Sequence, residues 1–335
     1  MKICVTLRAA KYNSYKSGVV MRYGYACINS TLRKSHKITT NRSMIKRTFA
    51  EKGIQYASEL ALKNTEDLVK IVQWNNRNGF KLFRMSSQLF PWASEYRLED
   101  LPDFSEIRSN LEAAGKEAMD NEQRLSFHPG PFNILTSPHE KVVQSSYTDL
   151  RIHGETMDLM GLPRNHWAKI NIHIGAAYGD HQSATDRWCK NFENLPDSVK
   201  SRLTVENDDK ESLYGVVHLH ELVYSRTGVP IVFDYHHHRF VDGGLSEKKA
   251  LQLAISTWPD GIKPTTHYSD SRAIEMSNEK IKPQAHSDYI FNYVDTHGLD
   301  IDIMFEAKAK ELAVIKYMEN LCQDDDVKFC YTLDR

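Results

Sequence analysis

The chain has 335 residues, 41% of them hydrophobic, and a formal net charge of −1 at pH 7, so it can build a sizeable core but has no global positive field to attract nucleic acid. The five cysteines are scattered without a CxxC pair, which favours a reducing compartment and argues against a cysteine-rich zinc site. No apolar run approaches the roughly 18 residues that span a bilayer, and residues 1–20 lack the pattern of a signal peptide. We therefore expect an intracellular protein that is neither secreted nor embedded in a membrane.

Short apolar runs alternate with helical patterns along most of the chain. A basic, polar loop is expected at residues 33–47. Eight strands alternating with helices predict an α/β fold, a single (β/α)8 TIM barrel with its active site at the C-terminal ends of the strands. The predicted strands are 22–27, 80–85, 124–127, 167–174, 202–205, 230–233, 263–268 and 301–305, and the predicted helices are 58–78, 104–121, 142–162, 187–195, 214–226, 246–254, 288–296 and 307–321.

The stretch 230–238 shows the pattern that organises the chain. Its apolar run is typical of a short buried strand, and an acid and three histidines follow at residues 234 and 236–238. Carboxylate and imidazole groups at a strand end are suitable ligands for zinc or manganese. Alternatively, Asp234 caps the next helix and the histidines are solvated. This stretch alone does not decide between the two interpretations.

The other predicted strands repeat the pattern, because metal-ligand residue types close six successive strands. Imidazoles combined with acids that can bridge would hold two or three divalent ions; zinc and manganese fit this ligand set better than magnesium does. Closely spaced ions suit phosphodiester hydrolysis, since one activates water and another steadies the leaving oxygen. The strand-end residues are His128, His173, Glu206, Asp234 with His237 just beyond, His267 and Glu306, and His286 lies in the loop after the seventh strand.

At these residues the sequence resembles the ultraviolet damage endonucleases, from about residue 22 to residue 310. Each matching motif is weak alone, but their order and spacing are specific. The motifs are YGYACIN (23–29), LFRMSS (82–87) followed by Pro91, FHPG (127–130), HIGAAYG (173–179), ENDD (206–209), DYHH (234–237), HYS (267–269), AHSDY (285–289) and EAKAKE (306–311).

The resemblance implies a barrel similar to endonuclease IV that nicks DNA on the 5′ side of cyclobutane dimers, 6-4 photoproducts and abasic sites. It implies a cluster of divalent ions, with manganese as the expected metal, and catalytic roles for Glu206, Asp234, Glu306 and Lys308. Lys308 would offset charge on the phosphate; alternatively it is a solvated helix lysine. The implied ligand sets are Glu206, Asp234, His267 and Glu306 for one ion, His128, His173 and Glu206 for a second, and His237 and His286 with Asp234 for a third.

The resemblance also implies contacts with damaged double-stranded DNA by Tyr25, Asn29, Tyr178 and Lys310. Tyr25 would line the DNA groove, with ordinary barrel packing as the alternative. Family members place a glutamine and an aromatic residue where this chain has Pro131 and Phe132. Phe132 can still wedge between bases, but Pro131 cannot donate a hydrogen bond as glutamine does, which puts the range of lesions in question.

A second departure is Thr265, which stands where some members have a lysine that can be carboxylated near the metals.

We expect an N-terminal extension at 1–20, the endonuclease domain at 21–322, a C-terminal tail at 323–335, and a monomer. Two alternatives remain open: a metal-dependent sugar isomerase or epimerase on a related barrel, and a lesion-binding protein that does not cut.

Overall fold

Eight strands, all paired in parallel, form the centre of the computed structural model, which describes residues 21–323. The predicted extension 1–20 and the tail from residue 324 lie outside the described residues. The strands alternate with helices, which confirms the α/β fold. The strands are β1 Tyr23–Ala26, β2 Leu82–Arg84, β3 Arg124–Ser126, β4 Ile170–Ile172, β5 Leu203–Glu206, β6 Ile231–Val232, β7 Thr265–Tyr268 and β8 Asp302–Phe305.

The strands pair in two sheets, with the orders β3-β2-β1-β8-β7 and β4-β5-β6. Single parallel bridges join the sheets on both sides, between Phe127 and Ile170 and between Asp234 and His267. Apart from β1, which pairs with β8, neighbouring strands are therefore consecutive in sequence, and the C-terminal ends of all the strands point the same way. That common direction brings the residues that close the strands to one end of the molecule.

Helices follow most strands. None of those within residues 21–323 has the length and apolar character needed to cross a membrane. The helices are α1 Ser30–His36, α2 Lys46–Arg77, α3 Phe104–Asp120, α4 Glu140–Leu159, α5 His181–Phe192, α6 Asp197–Lys200, α7 Val216–Leu219, α8 Ser225–Thr227, α9 Tyr235–His238, α10 Glu247–Ile255, α11 Arg272–Glu275 and α12 Glu311–Gln323.

The predicted basic loop at 33–47 is wrong in part, because it contains most of α1 and the start of α2. Two side chains explain why α1 forms. The Asn29 side chain accepts a hydrogen bond from the Leu32 amide at 2.8 Å, and Glu311 accepts from the amides of Ser30 and Thr31 at 2.8 and 2.7 Å. These acceptors satisfy amides that have no partner within the helix.

The predicted helix at 288–296 is wrong, since this segment has no helical turn. Its backbone amides bond to carboxylates instead of to carbonyls one turn back. Glu275 accepts from the amides of Asp288 and Tyr289 at 2.7 and 3.0 Å, and Asp270 accepts from those of Phe291 and Asn292 at 2.9 and 3.1 Å. The helical spacing of apolar residues could not reveal these tertiary partners.

Strand alternation separates the core from the site. On β5, Leu203 and Val205 belong to the hydrophobic core. Thr204 and Glu206 lie on the opposite face, where both bond to Asn171 of β4. Successive side chains of a strand point to opposite faces, so the polar residues of neighbouring strands meet along one surface.

A buried ionic network lies at the N-terminal ends of β1, β3 and β8. Arg124, at the start of β3, lies 2.8 Å from the Asp302 carboxylate at the start of β8, and Arg22 lies 2.8 Å from the same carboxylate. The Arg124 guanidinium also donates to the carbonyls of Lys263, Trp167 and His166 at 2.7, 3.1 and 3.2 Å. This network is structural, because its donors are used within the fold.

Candidate metal centre

Glu206, the last residue of β5, lies at the middle of the strand ends and is fully buried. Its Oε2 is 3.0 Å from His128 Nε2 and 3.0 Å from His267 Nδ1, and it also accepts a hydrogen bond from Asn171. Its Oε1 is 3.6 Å from His237 Nδ1. One carboxylate therefore contacts an imidazole within β7 and imidazoles that follow β3 and β6.

Two groups of side chains meet at Glu206, and each could hold a metal ion. The first group contains His128, Glu206, His267 and Glu306, with His267 Nδ1 3.3 Å from Glu306 Oε1. The second group contains His173, Glu206 and His237. Because Glu206 belongs to both groups, its carboxylate would serve both if each group held a cation.

Asp234 and His286 lie beside these groups without joining either. His286 Nδ1 is 3.6 Å from Glu306 Oε2, and the His286 ring centroid is 6.2 Å from that of His237. Asp234 Oδ1 accepts from the His237 amide at 2.8 Å and caps α9, as one interpretation of the stretch predicts. The solvated histidines of that interpretation are wrong, because residues 236–238 are all buried.

Burial and neighbouring charges determine the ionisation of the centre. Burial alone would raise the pKa of Glu206, but His267 and His173 outweigh it and hold that pKa well below its usual value. Burial lowers the pKa of His128 to about 4. Burial also opposes charge on His173, yet Glu206 and Asp208 raise its pKa to about 10. The carboxylate is therefore anionic at neutral pH and requires positive charge around it.

The side chains fit a divalent ion. Glu206 Oε1 and Asp234 Oδ2 are buried and have no hydrogen-bond donor. A buried anionic oxygen without a donor is costly, and a bound cation removes that cost. Imidazole and carboxylate ligands are those that zinc and manganese accept.

The residues predicted to touch DNA divide into exposed and buried sets. Phe132 is 83% exposed and Tyr178 is 48% exposed, and Pro131 and Lys308 are exposed as well. Lys310 is partly buried, which lowers its pKa. These five are accessible to a macromolecule at the end of the strands where the metal-ligand residues lie.

Tyr25 and Asn29 are instead fully buried. The Tyr25 hydroxyl donates to Asn75 Oδ1 at 2.7 Å and accepts from Asn29 Nδ2 at 2.9 Å, and its ring packs on Phe80 and Phe83. These contacts favour the packing alternative for Tyr25 and a capping role for Asn29 over a place in a DNA groove.

The sequence patterns did not predict four residues of the centre. Arg84 forms an ion pair with Glu306, Asn171 donates to Glu206, and Asp208 Oδ1 lies 3.0 Å from His173 Nδ1. Lys169 is buried with Nζ 3.2 Å from His267 Nε2, and burial lowers its pKa to about 7. Alternation from His173 would have placed Asn171 and Lys169 on the inner face, and Arg84 closes β2.

Fold and site together define a class: parallel α/β proteins with a histidine–carboxylate centre at the C-terminal ends of the strands. The model of the UV-endonuclease UvdE family matches residues 21–333. The chain belongs to this family.

Known relatives agree with this assignment. A UV-damage endonuclease of Schizosaccharomyces pombe is 36% identical over 88% of this chain, which spans only 50% of that relative's length. A UV DNA damage endonuclease of Clostridium perfringens is 30% identical over 90% of this chain and 71% of its own length. The crystal structure of SacUVDE matches with a TM-score of 0.77 at 29% identity, covering 92% of this chain and all of the other.

A more distant structure bears on the fold alone. Endonuclease IV from Thermus thermophilus matches with a TM-score of 0.53 at 11% identity, covering 90% of this chain and 99% of that one. The family model and the relatives above confirm the sequence-based prediction of the family.

Proposed function

We propose that this chain is a metal-dependent DNA repair endonuclease that incises the backbone 5′ to UV photoproducts, with cyclobutane dimers and 6-4 photoproducts as substrates and abasic sites as further targets. Glu206 is the observation that carries the proposal, because one buried carboxylate belongs to both groups of metal-ligand side chains. Family membership supports DNA as the substrate. We further propose that the enzyme acts as a monomer.

The strands that carry these groups form, in this proposal, a closed (β/α)8 barrel. Its support is the bridge on each side between the two sheets, at Phe127 with Ile170 and at Asp234 with His267. Closure would fix the circular order of the strand ends and hence the distances between ligands on opposite strands.

The proposed ligands are the predicted eight, and manganese is the proposed ion. Bound divalent ions supply activation of water and neutralisation of charge on the scissile phosphate. Glu206 and Glu306 remain anionic to hold positive charge, and Asn171 and Arg84 fix their orientation by a hydrogen bond and an ion pair. The eight ligands are His128, His173, Glu206, Asp234, His237, His267, His286 and Glu306.

The DNA would lie across the exposed residues at this end. Phe132 presents an aromatic ring that is free to enter the base stack, next to Pro131. A photodimer stacks and pairs poorly, so opening the helix there costs less than at normal bases. Lys308 and Lys310 are proposed to contact phosphates, and Tyr178 is proposed to contact the DNA beside them.

Incubation of the protein with ultraviolet-irradiated and untreated supercoiled plasmid, with Mn²⁺ or with chelator, tests the proposal. Nicking of the irradiated plasmid alone, abolished by chelator, is the expected result. Absence of nicking on irradiated and abasic DNA with every divalent metal would refute the endonuclease and direct attention to sugar substrates. Binding of irradiated DNA without nicking would identify a lesion-binding protein.

A further inference from the structure

Asn207 follows Glu206 directly, at the point where β5 ends. It is fully buried, and it belongs to neither group of metal-ligand side chains. Its side-chain amide bonds to both backbone groups of Asp234: Oδ1 accepts from the Asp234 amide at 2.8 Å, and Nδ2 donates to the Asp234 carbonyl at 3.0 Å. These two partners fix the orientation of the side-chain amide, because an N–H only donates and a carbonyl only accepts.

The two bonds extend the strand ladder beyond its last backbone pair. Backbone pairing between β5 and β6 ends at Glu206 with Val232, and on its other side Asp234 forms a bridge with His267. A primary amide carries the same kinds of donor and acceptor as a peptide group. The Asn207 side chain therefore pairs with the backbone of Asp234 as a neighbouring strand would.

A third bond joins Asn207 to the segment that follows Asp234. The Asn207 backbone carbonyl lies 2.8 Å from His237 Nδ1. In the neutral ring that a metal ion requires, the nitrogen that faces a carbonyl carries the proton, so Nε2 of His237 is the nitrogen left for a ligand. One residue thus fixes the backbone of Asp234 and the tautomer of His237.

The backbone of Asp234 determines the position of two functional groups. Asp234 Oδ1 accepts from the His237 amide at 2.8 Å and so holds the start of α9, and Asp234 Oδ2 is buried with no hydrogen-bond donor. Movement of this backbone would therefore displace an unsatisfied carboxylate oxygen and an imidazole together. His237 belongs to the second group of metal-ligand side chains, whereas the first group contains neither residue.

We propose that Asn207 is a positioning residue for the second group of metal-ligand side chains, because it sets the place of His237 and Asp234 without being a ligand itself. This role rests on the proposed function, since it takes a divalent ion as the ligand of that group. Residues that orient metal ligands contribute about 10- to 100-fold to metal affinity. Loss of the Asn207 amide should therefore weaken one ion by that factor and leave the ion of the first group in place.

The chain provides a matched control in Asn64 of α2. Asn64 is also fully buried, and its side chain accepts from the Arg42 amide at 3.1 Å and donates to the Arg42 carbonyl at 3.1 Å. Its further bonds are to the carbonyls of Gln88 and Leu89, which are not metal-ligand residues. Replacement by leucine keeps the shape of an asparagine side chain and removes the same pair of backbone bonds at Asn64 and at Asn207.

The test titrates the full-length chain with Mn²⁺ and follows free Mn²⁺ by electron paramagnetic resonance, which counts the bound ions and gives their Kd values without DNA. Wild type, Asn207→Leu, Asn207→Ala and Asn64→Leu are compared at a temperature where their melting curves show folded protein. The wild type should bind an ion at each of the two groups. Both Asn207 variants should bind one of these ions about 10- to 100-fold more weakly, and Asn64→Leu should keep the wild-type Kd values.

A second readout separates positioning from damage to the fold. Nicking of irradiated plasmid by Asn207→Ala should recover when the Mn²⁺ concentration is raised by about 10- to 100-fold, because the weakened ion is then bound again. A misfolded centre would not recover. If Asn207→Leu does not fold, Asn207→Ala, which adds no volume, decides the outcome.

Unchanged Kd values in the Asn207 variants would overturn the positioning role. Equal weakening of both ions, or the same weakening in Asn64→Leu, would overturn it as well, since either result indicates a general loosening of the fold. Absence of Mn²⁺ binding by the wild type would instead refute the proposed metal-dependent function, and the role of Asn207 with it.

Discussion

Buried carboxylates lie at both ends of the strands, but they have different roles at the two ends. At the N-terminal ends, Arg22, Arg124 and Asp302 form a network in which each guanidinium has a carboxylate partner within 2.8 Å. At the C-terminal ends, Glu206 and Asp234 are equally buried, yet each retains an oxygen without a donor. The carboxylates at the two ends are equally buried, but only those at the C-terminal ends have an oxygen without a hydrogen-bond donor.

This difference teaches where stability and function reside in the fold. Removing one member of a buried ion pair leaves its partners uncompensated and destabilises the fold. Buried polar atoms without partners are rare in native proteins, so their concentration around Glu206 indicates a place for a ligand. Substitutions at the C-terminal ends of the strands should therefore affect activity, and substitutions at the N-terminal ends should affect folding.

The largest effect is expected from Glu206→Gln. The neutral amide cannot serve both metal-ligand groups, so nicking of irradiated plasmid should fall by at least about 10³-fold. Binding of damaged DNA should remain measurable by gel shift. Glu211→Gln, at an exposed position a few residues along the chain, is the control and should leave nicking unchanged. Retained turnover in Glu206→Gln would show that the ligand assignment is wrong.

A substitution at the N-terminal ends of the strands should lower the stability of the fold. Asp302→Asn removes the carboxylate shared by Arg22 and Arg124, so the free energy of unfolding should fall by about 3–5 kcal/mol in urea denaturation. The control is Asp300→Asn, whose side chain is 54% exposed and which should lose less than about 1 kcal/mol. Equal losses in the two variants would contradict the structural role of the buried network. Folded Asp302→Asn protein should still nick irradiated DNA.

Addition of Mn²⁺ should stabilise the folded protein, and only through the centre at the C-terminal ends of the strands. At about 100 times its Kd, a bound ion adds about 2.7 kcal/mol to the free energy of unfolding, so the wild-type melting temperature should rise by several degrees. Asp302→Asn should show the same rise from a lower starting value, and Glu206→Gln should show much less. A rise that Glu206→Gln shares in full would place the ion elsewhere.

Phe132→Ala should give the smallest effect. The ring is 83% exposed, so the melting temperature should not change. Loss of a stacking contact of about 1–3 kcal/mol should lower the preference for damaged over undamaged duplex by about tenfold. Phe291→Ala, at another partly exposed phenylalanine, is the control for general loss of apolar surface. Unchanged selectivity in Phe132→Ala would exclude the wedge role.

The sequence allowed prediction of the strand ends because two local rules determine them. Apolar runs locate the strands, and parallel direction brings the following residues to one end. In this way Glu206, His128, His267 and Glu306 could be assigned to one site before any coordinates. Lys169 and Asn171 do not close a strand, so the strand-end rule does not predict them.

Other features depend on distant partners that no local pattern reveals. Residues 288–296 have helical spacing, but Asp270 and Glu275 take up the amides that a helix would need. Tyr25 lies in a matching motif, yet its burial follows from Asn75 in α2. The fold decides such positions through tertiary contacts.

Anomalous diffraction from crystals grown with Mn²⁺, compared between wild-type protein and Glu206→Gln, tests the metal centre most directly. In the wild type, peaks are expected beside Glu206, one near His128 and His267 and another near His173 and His237. In Glu206→Gln both should weaken or vanish. A wild-type map without a peak at Glu206, or with its strongest peak at the paired carboxylates of the opposite strand ends, would contradict a metal-dependent endonuclease built on these residues.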